Sequence, residues 1–309
     1  MNTKTNTDAW KVIAAFAAIY LIWGSTYTAI LFGLKTMPPF LLSGIRFSIA
    51  GLILLLWSVL KGERFIARPT LQNAFGGVLM LFGGTGAVVW VEQHITSGMA
   101  AVIVASLPFW FLLLDYRQWS YNFSQKIILL GILIGFGGII TLFGADAGGM
   151  SGKTVFAMFV LVAGCISWAT GSLYVKYRPS AHSTTMNAGI QMLAAGLFSI
   201  LTGWLEGETG TFSLAAVSSE SWMGLAYLIG FGSLIGYVSY VWLLDKRPMV
   251  QVGTYAYVNP VVAILLGWLI AREPFSGRQI MALMAILFGV LLINLPKYRS
   301  LHTRIFHQG

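Results

Sequence analysis

Long apolar segments alternate with short polar stretches along the whole chain. An α-helix needs about 20 residues to cross a hydrocarbon core about 30 Å thick. Ten segments have about that length, at approximately 10–34, 39–60, 70–91, 97–114, 125–143, 154–175, 186–205, 220–244, 249–271 and 279–295. The pattern therefore predicts an all-α integral membrane protein with ten transmembrane helices.

Composition agrees with this pattern. Of the 309 residues 57% are hydrophobic and 9% are charged, against about 25% charged in soluble domains. The net charge of +9 comes from basic residues scattered between apolar segments, without a long basic run. The expected partner is therefore the lipid bilayer and not nucleic acid. The single cysteine, Cys165, lies inside an apolar segment, which leaves no disulfide framework.

The chain contains an internal repeat. Residues 44–63 recur at 189–208 with nine of the twenty positions identical, and at a slightly larger offset Pro108 corresponds to Pro260. A duplicated membrane domain explains both correspondences. The predicted organisation is a first repeat at 10–145, a second repeat at 153–296, and cytoplasmic tails at 1–9 and 297–309.

Loop charges predict the orientation. With a cytoplasmic N-terminus, fourteen basic residues lie in cytoplasmic segments and four in outer loops, which favours cytoplasmic placement of both termini. Five helices per repeat is an odd number, so the two halves insert in opposite directions, as in transporters built from inverted repeats. The first segment is not expected to be a cleaved signal, because its Trp23 recurs at Trp168.

Several motifs carry a family resemblance. They are IWGSTYTAI at 22–30, GIRFSIAG at 44–51, WVEQHITSGMAA at 90–101, SWATGSLY at 167–174, IQMLAAG at 190–196 and YAYVNPVVAILLG at 255–267, together with Glu273 after the ninth segment. In combination the sequence resembles the EamA family of the drug/metabolite transporter superfamily. The resemblance implies a five-plus-five inverted repeat, export of small metabolites such as amino acids, and a central cavity lined mainly by helices 1, 3, 4, 6, 8 and 9. One departure is Asp115, where the family usually has a glutamate.

Aromatic and small polar residues are the candidate substrate-binding groups. Tyr27 follows Trp23 by four positions and Asn259 follows Tyr255 by four, so each pair shares a helix face. The full predicted set is Trp23, Thr26, Tyr27, Trp90, Trp168, Ser172, Tyr237, Tyr240, Tyr255 and Asn259. Such a wall would hold a partly apolar molecule by stacking and a few hydrogen bonds. The alternative is an interfacial aromatic belt; for Trp23, Tyr255 and Asn259, which lie well inside their segments, the cavity is favoured.

Four residues are candidates for a charge or coupling role. Arg46 is the one basic residue inside a predicted span; it either binds a substrate carboxylate or stabilises the bundle through backbone carbonyls. Its repeat partner is Gln191. Glu92 and His94, at the outer end of the third helix, either couple transport to protons or serve as solvated or gating residues.

Two further features bear on mechanism. Pro108 and Pro260 are expected to bend helices 4 and 9. No Asp or Glu lies in the middle of a predicted helix, which disfavours a proton-driven exporter of cationic drugs. Catalytic clusters, metal-ligand patterns and a nucleotide-binding loop are absent from the sequence, so it predicts no enzyme activity, no cofactor and no metal.

The sequence therefore predicts a secondary transporter of the bacterial inner membrane, present as a monomer or homodimer. It would export a small neutral or zwitterionic metabolite, such as an amino acid or a related compound, by alternating access. An exporter of lipophilic drugs or lipid intermediates is the alternative within transport, and a non-transporting membrane protein is the alternative outside it.

Overall fold

The structure, a computed structural model, describes residues 3–144, 151–178, 180–247, 249–273 and 276–306. These residues form helices and connecting turns, and no β-strand occurs among them. In chain order the long helices are α1 (Thr3–Ala17, Ala18–Ile22 and Trp23–Gly33), α2 (Pro39–Leu60), α3 (Ala67–Gly77, Val78–Gly86 and Ala87–Val91), α4 (Ser97–Val104 and Leu107–Leu114), α5 (Lys126–Gly144), α6 (Gly152–Lys176), α7 (Thr184–Leu205), α8 (Ser219–Tyr227, Leu228–Tyr237 and Val238–Lys246), α9 (Met249–Val252 and Tyr255–Leu269) and α10 (Gly277–Phe306).

Among the described residues, seven helices are long and apolar enough to cross a membrane. They comprise α1 from Trp10, α2, α3, α4, α6, α7 and α8, with mean hydropathies of 1.5 to 2.0. The described parts of α5, α9 and α10 contain shorter apolar stretches at Lys126–Gly138, Val258–Leu269 and Gly277–Ile293. The chain is therefore an all-α membrane protein. The largest extensions beyond the predicted bounds are at the two ends of the chain, where α1 begins at Thr3 and α10 continues to Phe306, because the polar residues at both ends are compatible with helix.

Parts of the predicted domain boundaries lie outside the described residues. This applies to position 145, which ends the first predicted repeat, and to the extreme ends of both predicted tails.

The outward faces of the helices are apolar as well as the inward ones. On α2, Phe47 and Ala50 are fully buried, whereas Leu52 and Leu56 are 55% and 62% exposed. A helix that is hydrophobic all round is suited to lipid on the face that does not contact protein. The exposed leucines of α2 therefore mark a lipid-facing surface.

Helices α2 and α7 pack in close contact through glycines. A Cβ added at Gly51 would lie 2.6 Å from the backbone nitrogen of Leu193, and one added at Gly196 would lie 2.6 Å from the backbone nitrogen of Ser48. Gly51 and Gly196 occupy equivalent positions of the sequence repeat, 145 residues apart. Small residues permit this close approach of helices in a membrane.

Replacing Gly51 by alanine should lower the thermal stability of the detergent-solubilised protein. The added methyl group meets backbone rather than a flexible side chain, so the helices must move apart, at a cost of about 1–3 kcal/mol. The matched control is Gly137→Ala on α5, where an added Cβ meets no atom within 4 Å. A melting curve for Gly51→Ala that coincides with that of the control would contradict this packing.

Five helices depart from regular α geometry. Parts of α1, α3 and α8 are π-helical, at Ala18–Ile22, Val78–Gly86 and Leu228–Tyr237. Helix α4 is interrupted at 105–106 and α9 at 253–254. The breaks in these two helices do not lie at the prolines. Pro108 lies in the first turn after the α4 interruption, and Pro260 lies inside the second part of α9. Each interruption thus precedes its proline.

Candidate functional site

A cavity with an empty volume of about 690 Å³, its opening included, lies among α1, α2, α3, α4, α6, α8 and α9. Residues from both sequence repeats line it. Seven of the ten predicted substrate-binding residues are in its wall: Trp23, Thr26, Tyr27, Trp168, Tyr237, Tyr255 and Asn259. Small molecules bind preferentially in concave sites that are lined mainly by apolar and aromatic side chains with a few polar groups. This makes the cavity the candidate functional site.

Aromatic rings from four helices form a cluster at one side of the cavity, partly in its wall and partly behind it. The ring of Trp23 lies 5.6 Å from that of Trp168, 5.0 Å from that of Tyr240 and 5.1 Å from that of Tyr255, measured between centroids. The contacts with Trp168 and Tyr255 are edge-to-face, a favourable arrangement for aromatic pairs. Trp23 is therefore the centre of this aromatic cluster.

Two predicted residues lie behind the wall. The hydroxyl groups of Ser172 and Tyr240 are 2.7 Å apart, and the indole Nε1 of Trp168 donates to the Tyr240 hydroxyl over 3.2 Å. Ser172 and Tyr240 are completely buried and do not line the cavity. Their role in the structure is to fix the orientation of the Trp168 ring.

Trp90 is the one predicted residue that lies apart from this group. Its ring packs against His94 at 4.8 Å and Phe156 at 6.1 Å, and Trp90 is not in the cavity wall. The sequence pattern groups Trp90 with the other aromatic residues, whereas the structure places it outside the cavity wall.

Side chains of neighbouring helices bind the backbone of the π-helical segments. Trp23 Nε1 donates to the carbonyl of Gly232 over 3.2 Å, and the Ser167 hydroxyl donates to the carbonyl of Leu79 over 2.7 Å. With its amide nitrogen turned towards acceptors, Asn259 donates to the carbonyl of Tyr20 over 3.0 Å. π-helical turns occur frequently at functional sites, and here each one is held by a different helix.

Tyr255 carries an unused hydrogen-bonding group. The residue is 2% exposed, lines the cavity, and its hydroxyl has no partner among the described residues. A buried hydroxyl without a partner costs free energy. The hydroxyl is therefore an unsatisfied polar group of a residue in the cavity wall.

Arg46 also reaches the cavity, although the resemblance did not include α2 in the wall. Its Nε donates to the Ser233 hydroxyl over 2.9 Å, and its Cζ lies 4.7 Å from the ring centroid of Phe47. The residue is 5% exposed, and Nη1 has no hydrogen-bond partner in the described part of the chain. The hydrogen bond to Ser233 and the contact with the Phe47 ring therefore leave part of the hydrogen-bonding capacity of the guanidinium unused.

The repeat partner of Arg46 has a different environment. Gln191 is fully buried; its Nε2 donates to Asn73 Oδ1 over 2.6 Å and its Oε1 accepts from the Tyr237 hydroxyl over 2.8 Å. Both ends of the amide are satisfied. In the structure Gln191 joins α3, α7 and α8.

Glu92 lies just beyond the membrane-spanning part of α3, which ends at Val91. It is 6% exposed and neither carboxyl oxygen has a partner among the described residues. Burial, and then the nearby Glu273 carboxylate, raise the pKa of Glu92. Glu273 itself accepts from the backbone nitrogen of Ser97 at 3.0 Å and from the Ser97 hydroxyl, so it caps the first turn of α4.

Asp115 occupies the end of α4 where the family usually has a glutamate. Both of its oxygens lie 2.9 Å from the hydroxyl of Tyr177, which donates to them. Burial, and then the hydrogen bond to Asp115, raise the pKa of Tyr177 to about 12. Asp115 thus binds a side chain at the end of α6, whereas Glu273 binds a backbone nitrogen at the start of α4.

Among the described residues no group of three His, Cys, Asp or Glu side chains is placed to hold a metal ion.

The sequence reasoning missed the apolar and small residues of the wall, such as Thr85, Gly84 and Cys165. In sequence these are indistinguishable from ordinary helix-packing residues, so no signal could have identified them.

Comparisons with known proteins agree with this architecture. A family model described as the EamA-like transporter family matches residues 10–144 and 155–295. The chain is 38% identical over 289 residues to the uncharacterized inner membrane transporter YedA of Escherichia coli K12, covering 93% of this chain and 92% of that protein. It is 27% identical over 299 residues to a protein of Salmonella typhimurium LT2 named a probable amino-acid metabolite efflux pump, covering 92% and 95%. A solved crystal structure that is 21% identical in sequence matches with a TM-score of 0.66. The match covers 94% of this chain and 99% of that chain, which shows the likeness in fold.

Proposed function

The chain belongs to the EamA-like transporter family, and from this premise we propose that it is a secondary transporter exporting small metabolites, amino acids or related neutral or zwitterionic compounds. The observation that carries the proposal is the cavity between the two repeats, where aromatic rings accompany two unpartnered polar groups. Such a wall suits a molecule with an apolar body and a few polar atoms.

The proposed architecture has ten transmembrane helices in a five-plus-five inverted repeat. Its support is the internal sequence repeat, the match of the family model to two segments, and the equivalent placement of Gly51 and Gly196. The proposed location is a bacterial inner membrane with both termini cytoplasmic, supported by the distribution of loop charges and by the name of the relative from Escherichia coli. Alternating access would expose the cavity to either side as the repeats move against each other.

Efflux from cells tests both the substrate class and the direction. Cells expressing the protein and cells without it are loaded with radiolabelled amino acids, and retained label is followed over time. We expect faster, saturable loss of at least one amino acid from the expressing cells. Faster accumulation would contradict export, and equal loss of every amino acid would contradict the proposed substrate class.

Glu92 is the proposed proton-coupling residue. In the described conformation its raised pKa favours the protonated form, and exposure to water in another conformation would lower the pKa and release the proton. Glu92→Gln fixes the neutral state, so we expect the pH dependence of substrate exchange in proteoliposomes to flatten. The control is Glu206→Gln at an exposed position. An unchanged pH profile in Glu92→Gln would exclude this role and leave His94 as the remaining candidate.

Export of lipophilic drugs or lipid intermediates remains the second candidate function. Only the apolar residues of the cavity wall favour this second function. A cavity for a purely apolar molecule gains nothing from an arginine and a tyrosine hydroxyl without partners, because each costs free energy when buried. The polar groups therefore support a metabolite.

A further inference from the structure

Arg46 is a buried cation without an anion. In the part of the chain that the structure describes, no ion pair joins its guanidinium to a carboxylate, and its neighbours Ser233 and Phe47 are neutral. A charge buried at membrane depth is costly unless a partner compensates it. Arg46 lies in the wall of the cavity, and the described lining of the cavity contains neither Asp nor Glu.

The local packing leaves space for the guanidinium to point inwards. A Cβ added at Gly232 on α8 would lie 2.9 Å from Arg46 Nη2 and 3.1 Å from the methyl carbon of Thr26 on α1. The absence of a side chain at Gly232 thus lets Arg46 pass between α8 and α1. Nε donates to Ser233, while Nη1 has no acceptor among the described residues, so the guanidinium is oriented and keeps one unused donor.

We propose that the cavity recognises small organic carboxylates, with Arg46 Nη1 donating to the carboxylate. This inference rests on the proposed function and specifies the substrate class of the same site. The rings of Trp23 and Trp168 hold the apolar body, and the Tyr255 hydroxyl bonds a second polar atom. Because the lining has no acidic residue, the carboxylate is required for recognition and an ammonium group is not.

A set of matched aromatic molecules separates these requirements. Phenylalanine carries a carboxylate and an ammonium group, 3-phenylpropanoate carries the carboxylate alone, and phenethylamine carries the ammonium group alone. The purified protein is heated in detergent with each compound, and proteoliposomes are used for counterflow of radiolabelled phenylalanine with each compound as competitor. Both acids should raise the melting temperature and compete, and the amine should do neither.

Variants at Arg46 complete the test. Loss of a charge-assisted hydrogen bond should weaken competition by the acids by about 10-fold or more in Arg46→Gln, whereas Arg46→Lys, which keeps the charge, should retain part of it. Arg68→Gln, at an exposed position, is the control and should behave as wild type. The melting experiment on the wild-type protein gives a result even where a variant does not fold.

The outcomes distinguish this inference from the proposed function. Competition by the amine equal to that by the acids, or full competition by the acids in folded Arg46→Gln, would overturn the carboxylate inference and leave transport intact. Absence of saturable counterflow together with absence of stabilisation by any compound would overturn both.

Discussion

Replacing Trp23 by alanine should lower the rate of transport by about 100-fold. The ring makes three aromatic contacts, with Trp168, Tyr240 and Tyr255, and each such pair contributes about 0.5–1.5 kcal/mol beyond the buried area. Three of them correspond to about 3 kcal/mol. This is two orders of magnitude in the equilibrium that populates the substrate-binding arrangement of the cluster. The measurement is the initial rate of substrate counterflow in proteoliposomes.

Two variants separate the role of Trp23 in the cavity from a general effect of losing a tryptophan. Trp204→Ala removes a ring that is 62% exposed on α7 and should leave transport unchanged. Trp23→Phe keeps an aromatic ring but loses the hydrogen bond to the Gly232 carbonyl, so its rate should lie between those of wild type and Trp23→Ala. Equal rates for Trp23→Ala and Trp204→Ala would show that the aromatic cluster does not contribute to transport.

Tyr255→Phe should raise the KM for substrate by about 5- to 10-fold without lowering the melting temperature. The hydroxyl has no partner among the described residues, so its removal costs no protein hydrogen bond there. A lost hydrogen bond to substrate is worth about 0.5–1.5 kcal/mol. Counterflow at a series of substrate concentrations gives the KM, and a melting curve in detergent gives the stability.

Tyr240→Phe is the matched contrast. The Tyr240 hydroxyl interacts with Ser172 and Trp168, so its loss should lower the melting temperature and affect KM only through the orientation of Trp168. If Tyr255→Phe instead loses stability while KM stays constant, its hydroxyl serves the fold and not the substrate.

The length and hydropathy of segments were enough to predict an all-α membrane protein and the bounds of two of its helices. The α2 and α4 helices begin and end at the predicted residues, 39–60 and 97–114, because an unbroken apolar run between polar turns has no alternative in a membrane. The spacing of Trp23 and Tyr27, and of Tyr255 and Asn259, correctly indicated one shared face each, since all four residues line the cavity. A local period of 3.6 residues is visible in sequence.

Features that depend on contacts between distant helices were not predictable. The place of Arg46 in the wall depends on the missing side chain at Gly232, which is 186 positions away in the chain. The π-helical segments are held by donors from other helices, such as Ser167 for Leu79. Glu92 is buried and lies near Glu273, which is 181 positions away in the chain. None of these relations produces a pattern within a single segment.

The most direct test of the central claim, that the cavity between the two repeats is the transport site, is counterflow of radiolabelled amino acids in proteoliposomes. Wild type is compared with Tyr255→Ala/Asn259→Ala and with Gly137→Ala, and each variant is first checked for folding by size-exclusion chromatography. The account predicts saturable counterflow by wild type and Gly137→Ala and none by the folded double variant. Saturable counterflow by the folded double variant at the wild-type rate would contradict it.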